Sequence, residues 1–353
     1  MRISRKNLIL SRRYTPNAGW SRSSEAEENL VDANAVIALL AEHYGIQTPV
    51  LTPVSGGTTA LGFKVTSPQG NYFLKVFSRE YATTAFWTEK ICRYIPVLGW
   101  LRHQPHLRAH LPEPIRTLSG EVSCQDDARV LLLYAFIPGS VLPDNALQPA
   151  QVRTLARVTA ALHNLRTASP HCPRTESEDY AAAFLPELEG LLAGSWDYQL
   201  SMEIQRMAAP FEGLLRQRAL ELTRLQAALR ESDLPLVLCH MDLHHWNLME
   251  CAGRLIILDW EGVKRAPAES DLMFILSLPY AADFMRVYQQ ERPGFALNPE
   301  ALRFVVIRRK LEDIWLFMRA LSLDPLEGSM WDQNTRWLQA GLNELGKESF
   351  YVA

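Results

Sequence analysis

The feature that most constrains this chain is a polar loop feeding a strand: His240-Met-Asp242-Leu-His244-His-Trp-Asn247, a short turn, then the apolar run Leu255-Ile-Ile-Leu258 ending in Asp259-Trp260. The loop carries an Asp and an Asn five residues apart, and the strand delivers a second Asp. Hard oxygen ligands on loop and strand ends are what Mg²⁺ prefers. Asp242 is placed to orient a hydroxyl nucleophile, and Asn247 and Asp259 to hold magnesium on a nucleotide's phosphates. The chemistry this pattern suits is phosphoryl transfer.

Composition bounds the alternatives. The 353 residues are 48% hydrophobic and 21% charged, with a formal charge of −3, which describes a soluble globular protein of one large or two medium domains. So neutral a balance gives no general pull toward nucleic acid or an anionic membrane surface. No apolar stretch reaches the ~18 residues of a membrane span. Cys92, Cys124, Cys172, Cys239 and Cys251 are scattered without a CxxC pair, so a reduced, cytoplasmic compartment is expected rather than a disulfide framework. Arg2, Arg5, Lys6, Arg12, Arg13 and Arg22 crowd the start without an acid or an apolar core. Residues 1–30 are therefore read as a basic, flexible tail and not as a secretory signal.

Periodicity divides the remainder. Asp32 predicts a helix cap, with Val36, Leu39, Leu40 and Tyr44 at helical spacing and Gly45 as the stop. Val50–Val54, Leu61–Val65 and Tyr72–Phe77 read as short strands, broken by Gly56-Gly57 and Pro68-Gln69-Gly70. A helix from about Thr83 to Ile95 and a strand pair ending in Val130–Tyr134 come next. Beyond Ile137-Pro138-Gly139 the pattern is helical, interrupted only by the loop-strand module at 236–260. The reading is an α+β fold of two lobes: a small antiparallel-sheet nucleotide-binding lobe over residues 31–135 and a larger, mainly helical catalytic and acceptor-binding lobe over 136–353. Ligands usually bind in the cleft between such lobes.

Further residues gain meaning on this frame. Glycine turns let backbone N–H groups approach phosphates, and Gly56 and Gly57 join two predicted strands. The turn is not a Walker A loop, because Phe63 stands where the lysine belongs. Lys75 is a charge inside an apolar strand. It is either an edge lysine reaching for water or a phosphate-binding lysine steadied by Glu89 on the next helix, with Glu80 as competitor. His240, His244, His245 and Asp242 also permit a zinc reading, disfavoured by the poor ligand Asn247. Asp271 is expected to cap a helix or brace the loop from behind, and His163 to be a core histidine bonded to backbone.

Taken together these pieces resemble the aminoglycoside phosphotransferase and choline kinase family, relatives of the protein kinases. The family signature HxDxxxxN followed by a strand ending in DW stands here as His240 through Asn247 and Ile257-Leu258-Asp259-Trp260. The stretches LCHMDLHHWN and ILDWEGVKRAPAESDLMFI resemble most the branch that acts on spectinomycin. The resemblance implies ATP and Mg²⁺ as cofactors and an adenine bound by the backbone of Ala135 and Phe136. Gly56 and Gly57 would cover the triphosphate, Lys75 grip it with Glu89 behind, Asn247 and Asp259 carry the metal, and Asp242 aim the hydroxyl. Trp246 departs from the family, which has a small residue before the Asn.

The acceptor expected from the resemblance is a cationic small molecule, an aminoglycoside or aminocyclitol antibiotic. Trp260, Glu261, Glu312 and Asp313 are then candidate liners, with Trp315 as a second flat wall. Alternatively Glu312 and Asp313 form a solvated helix face or pair with Arg308 and Lys310. A metabolic kinase for choline, homoserine, a thioribose or a sugar alcohol is the second reading, and a nucleotide-binding protein with a decayed site the third. Phosphorylation would add ~−1.5 to −2 charges to a drug that needs positive charge to bind RNA, so the first reading carries a resistance function.

Overall fold

In the computed structural model, which describes residues 32–54, 60–142, 147–167, 171–326 and 328–346, Asp32 caps the first helix, α1 (Ala33–Tyr44), by accepting from the amides of Asn34 and Ala35. Gly45 ends it at φ 68°, a left-handed turn that glycine adopts without strain. The tail expected over residues 1–30 and the Gly56-Gly57 turn lie outside the described residues.

Strands β1 (Val50–Val54), β2 (Leu61–Ser67) and β3 (Gly70–Ser78) form a meander. The helix expected over Thr83–Ile95 is instead two pieces, α2 (Thr84–Thr88) and α3 (Ile91–Leu101). The break falls at Glu89-Lys90, where the Lys90 ammonium folds over the rings of Phe86 and Trp87. Beyond the break, apolar Ile91, Tyr94, Ile95, Leu98 and Leu101 keep a buried helical stripe going past Pro96. Then come β4 (Pro114–Ile115), β5 (Cys124–Gln125) and β6 (Arg129–Ala135), giving an antiparallel sheet of order β1-β2-β3-β6-β4 with β5 also on β6.

Side chains alternate across this sheet with period two, and the alternation sorts the core. Leu131 and Leu133 of β6, with Leu74 and Val76 of β3, pack under α1. Val130, Leu132 and Tyr134, with Phe77, face the other way, toward α3 and the helical part. Lys75 shares the parity of Phe73 and Phe77. That puts it on the face toward the helical part, in register with Leu132.

After Ala135 the chain makes β7 (Ser140–Val141), α4 (Pro149–His163), α5 (Leu185–Ala193), α6 (Met202–Ala208) and α7 (Glu212–Arg230). The module predicted at 236–260 is β8 (Val237–Cys239), a 3₁₀ turn over His245–Asn247, β9 (Leu248–Cys251) and β10 (Arg254–Ile257). β11 (Lys264–Ala266) pairs back onto β8, and β10-β9-β7 make a small antiparallel sheet. The remaining helices are α8 (Glu269–Leu272), α9 (Ala281–Glu291), α10 (Pro299–Leu323) and α11 (Gly328–Leu345). α7, α10 and α11 share one apolar core. A second core runs from Phe77 and α3 through α4 to Trp260 and Tyr288, so it crosses the boundary expected at residue 135. The protein is thus an α+β chain with an antiparallel-sheet first part and a helical second part. Among the described residues no helix is long and apolar enough to cross a membrane.

Candidate active site

The loop after β8 is clamped before it does anything else. The Asp271 carboxylate, at the start of the helical tail of the chain, accepts from two successive amides, His240 at 2.9 Å and Met241 at 2.7 Å. Two charge-assisted bonds hold Met241 at φ 75°, a conformation that costs a non-glycine residue of order 1–3 kcal/mol. His240 is fully buried. Its Nδ1 accepts from the Asp242 amide at 3.2 Å and its Nε2 donates to the Leu258 carbonyl at 2.7 Å, with the Trp260 ring edge-on at 4.6 Å. Asp271 is therefore the brace that the sequence offered as one of two roles.

His163 stands behind it. Its Nε2 meets Asp271 at 3.0 Å and its Nδ1 the Tyr288 hydroxyl at 2.7 Å, so its partners are side chains and not the expected backbone. Burial lowers its pKa against the pull of Asp271, which leaves a neutral ring donating to Asp271 and accepting from Tyr288. Among the described residues His163, Cys239 and Asp271 are the one His/Cys/Asp/Glu group close enough to share a metal, but the first and last are spent on each other and on the loop. The zinc reading of His240, His244, His245 and Asp242 gains nothing, because both His240 nitrogens are engaged.

Asp242 and Asn247 are brought together. Asn247 donates its amide N–H groups to the Asp242 backbone oxygen at 2.8 Å and to Oδ2 at 3.0 Å. This fixes the amide's orientation from the hydrogen-bond network and leaves its carbonyl oxygen for a hard cation. Asn247's own carbonyl accepts from the Leu258 amide at 2.8 Å, tying the loop's end to the residue before Asp259. Asp259 sits at φ 57° with its side chain 47% exposed. One amide oxygen and one exposed carboxylate form an all-oxygen donor set that fits Mg²⁺.

Lys75 reaches this corner from the opposing sheet. Its Nζ lies 2.6 Å from Asp259 Oδ1 and 2.6 Å from Glu261 Oε1. Burial alone would lower the ammonium's pKa, but Asp259 and Glu261 raise it well above the usual lysine value. One expectation is corrected here. Glu89 does not steady Lys75; it falls in the break between α2 and α3 and is exposed. Glu261 takes that role. Sequence reasoning looked for the carboxylate on the next helix, whereas the turn after Asp259 lies nearer in space.

Trp260 is also corrected. It is 1% exposed, donates Nε1 to the Ile257 carbonyl and backs His240, so it offers no face to a ligand. Trp246 is 40% exposed beside the His245 ring and does not fill the loop. Ala135 and Phe136 spend their amides on the carbonyls of Glu113 and Asn71, so they can offer a base only carbonyl oxygens. They also line a cavity of about 420 Å³ with Arg102, Arg108 and Arg254, which contains neither Lys75 nor Asp242.

α10 also reaches Asp242. Arg309, part of the stretch Arg309-Lys-Leu-Glu312-Asp313-Ile that shares in the family resemblance but given no role from the sequence, puts Nη1 2.7 Å from Asp242 Oδ1 and shares Nε between the two oxygens of Asp313 at 2.9 Å. His244 approaches the same Asp242 oxygen at 3.3 Å. Burial would raise the pKa of Asp242, but the Arg309 guanidinium and His244 hold it well below the usual carboxylate range. Asp313 thus pairs with neither Arg308 nor Lys310. Arg308 bonds Glu178 at 2.7 Å, and Lys310 the Glu344 carbonyl at 3.3 Å. Glu312 and Glu261 oppose the burial that lowers Lys90's pKa. Trp315 packs against Phe184 and Phe86. The signal for Arg309 was present in the chain: an Arg–Asp pair at i, i+4 on a helix beside the loop.

A model of the phosphotransferase enzyme family matches residues 50–304. Spectinomycin phosphotransferase in complex with ADP and spectinomycin is similar at TM-score 0.60 and 20% identity, over 89% of this chain and 98% of that one. Amicoumacin kinase gives 0.57 and 17%, over 91% and 95%. A microcompartment-associated aminopropanol kinase gives 0.54 and 16%, over 87% and 95%. No curated protein matches the chain in sequence.

Proposed function

Because the chain belongs to the phosphotransferase enzyme family and is a small-molecule phosphotransferase acting on a hydroxyl group, we infer that it transfers the γ-phosphate of ATP, with Mg²⁺, to an aminoglycoside or aminocyclitol acceptor. The observation that carries this is the double anchoring of Asn247. Its side chain holds Asp242, and its backbone holds the residue before Asp259. The group that would aim a hydroxyl and the groups that would hold a metal are thereby locked in one frame.

Asn247 and Asp259 would hold Mg²⁺, which supplies charge neutralisation at the phosphates when bound. Lys75 offers the phosphates an ammonium that Asp259 and Glu261 keep charged. Asp242, ionised and fixed at three points, accepts the acceptor's hydroxyl hydrogen and orients the oxygen. Its weak basicity is no handicap, since in a loose transition state the proton leaves late.

A second reading, a kinase for a small metabolite, is favoured by the burial of Trp260 and by the pairing of Glu261 with Lys75 and of Asp313 with Arg309, which leave these carboxylates less free to meet a polycation. A panel of aminoglycosides, aminocyclitols, amino alcohols, choline, homoserine, thioribose and sugar alcohols, assayed for MgATP consumption, separates the two. Turnover with a drug supports the first reading, and turnover confined to one metabolite replaces it with the second. With whichever acceptor turns over, Asp242→Asn should lower kcat by about 10²–10⁴-fold at unchanged circular dichroism, and full activity would remove Asp242 from the mechanism.

A further inference from the structure

Arg309 has more donors than its partners use. A guanidinium presents five N–H groups in a planar fork. Here Nε serves Asp313 and one Nη1 hydrogen serves Asp242, and among the described residues no hydrogen bond uses Nη2. The side chain is one-third exposed, at 33%, with the Phe274 ring 5.6 Å away. Part of the side chain is therefore open to solvent beside Asp242.

Holding Asp242 still does not require it. Asp242 is already fixed through Oδ2 and its backbone carbonyl by Asn247, and through its amide by His240. What the arginine adds is charge at a defined place. A hydroxyl aimed by Asp242 lies about 3 Å from the carboxylate and roughly 3–3.5 Å from the phosphorus it attacks. A guanidinium nitrogen 2.7 Å from Oδ1 is then no more than about 9 Å from the reacting phosphorus. Lys75 shows the same habit across the cleft, resting on Asp259 and Glu261. Both cations are stored on the site's own carboxylates.

Resting on the phosphotransfer reading above, we propose that Arg309 is a phosphoryl-binding catalytic residue supplied from α10: with MgATP bound, Nε stays on Asp313 and the free edge of the fork turns to the γ-phosphoryl oxygens. In the transfer itself the acceptor oxygen bonds to the γ-phosphorus, and the bond to the β,γ-bridging oxygen breaks with its electron pair leaving on ADP. The hydroxyl proton passes to Asp242. Arg309 exchanges no proton and neutralises charge spread over the equatorial oxygens, the role an arginine finger plays when supplied in cis.

The experiment compares affinities for MgAMP-PNP and MgADP, by calorimetry on the full chain, for wild type, Arg309→Ala, Arg309→Gln and Arg309→Lys, alongside MgATP hydrolysis without acceptor. Arg309→Ala should lose about tenfold or more in MgAMP-PNP affinity with MgADP unchanged within about twofold, and should slow hydrolysis about 100-fold or more. The lysine variant should fall between. Equal losses for both nucleotides, or none, would overturn the proposal and leave Arg309 as an organiser of Asp242. Should the alanine variant not fold, the glutamine and lysine variants give the same ratio. Failure of the wild type to bind either nucleotide would instead sink the phosphotransfer reading beneath it.

Discussion

At Lys75 the number of carboxylates matters more than their place in the chain. Two oxygens at 2.6 Å around one buried ammonium leave it charged where desolvation alone would lower its pKa. The exposed Glu89 contributes no such contact. Glu261→Gln should therefore weaken MgATP binding several-fold, and Glu89→Gln should leave it within about twofold, because exposed pairs contribute at most ~1 kcal/mol. Steady-state KM values for ATP test this, and the reverse order would return the role to Glu89. Lys75 itself was legible as a charge in an apolar strand, since period-two alternation forces it to the face opposite Leu74 and Val76. Its partner was not legible, because a contact between residues 75 and 261 leaves no periodic trace.

The loop after β8 shows what an element needs beyond its own residues. Its backbone is held by Asp271, by His163 behind Asp271, and by the 3₁₀ turn after Asp259. Gly262 in that turn has an ordinary φ, yet a Cβ there would sit 3.0 Å from Met241 Cβ and 3.3 Å from the His240 carbonyl. Gly262→Ala should push the strained Met241 segment and destabilise by about 1–3 kcal/mol, with a larger proportional fall in kcat than in nucleotide affinity. A thermal melt beside a kinetic assay measures both, and a wild-type melt and kcat would show that the loop has room. The loop and strand were readable as a unit from residue types alone. Helices α2 and α3 were not, because the pattern of apolar residues passes through Glu89-Lys90 while the helix does not.

Across the whole molecule, a few polar contacts join the sheet-bearing part to the helical part: Lys75 to Asp259 and Glu261, Arg93 to Glu176, and Thr83 to Asp324. Within the helical part Glu178 is buried and bonded to Arg308 at 2.7 Å and Lys264 at 2.8 Å. Burial would raise its pKa, but those two cations lower it. A folded pKa below the unfolded value of about 4.3 means that the stability it contributes is fully present above that value and is lost as pH falls through the folded pKa. Glu178→Gln should thus cost about 3 kcal/mol near neutral pH, and the gap to wild type should narrow below about pH 4. Urea titrations at both pH values check it, and a pH-independent gap would mean packing rather than charge. MgAMP-PNP should raise Tm, with a gain of ~2.7 kcal/mol at 100 times Kd, and EDTA should reduce it.

Local chemistry alone, legible residue by residue, dictated much of this protein. Alternating and helical periods set the sheet and the helices, Asp32 and Gly45 set the ends of α1, and the spacing of Asp242, Asn247 and Asp259 carried the phosphoryl-transfer reading. Which charge meets which was decided by packing in three dimensions. Glu261 instead of Glu89 holds Lys75, Trp260 turns inward, and Arg309 comes to Asp242 from 67 positions along the chain. Period and propensity act over a few residues. An ion pair depends on distance in space, and that exists only once the cores on the two faces of the sheet have packed.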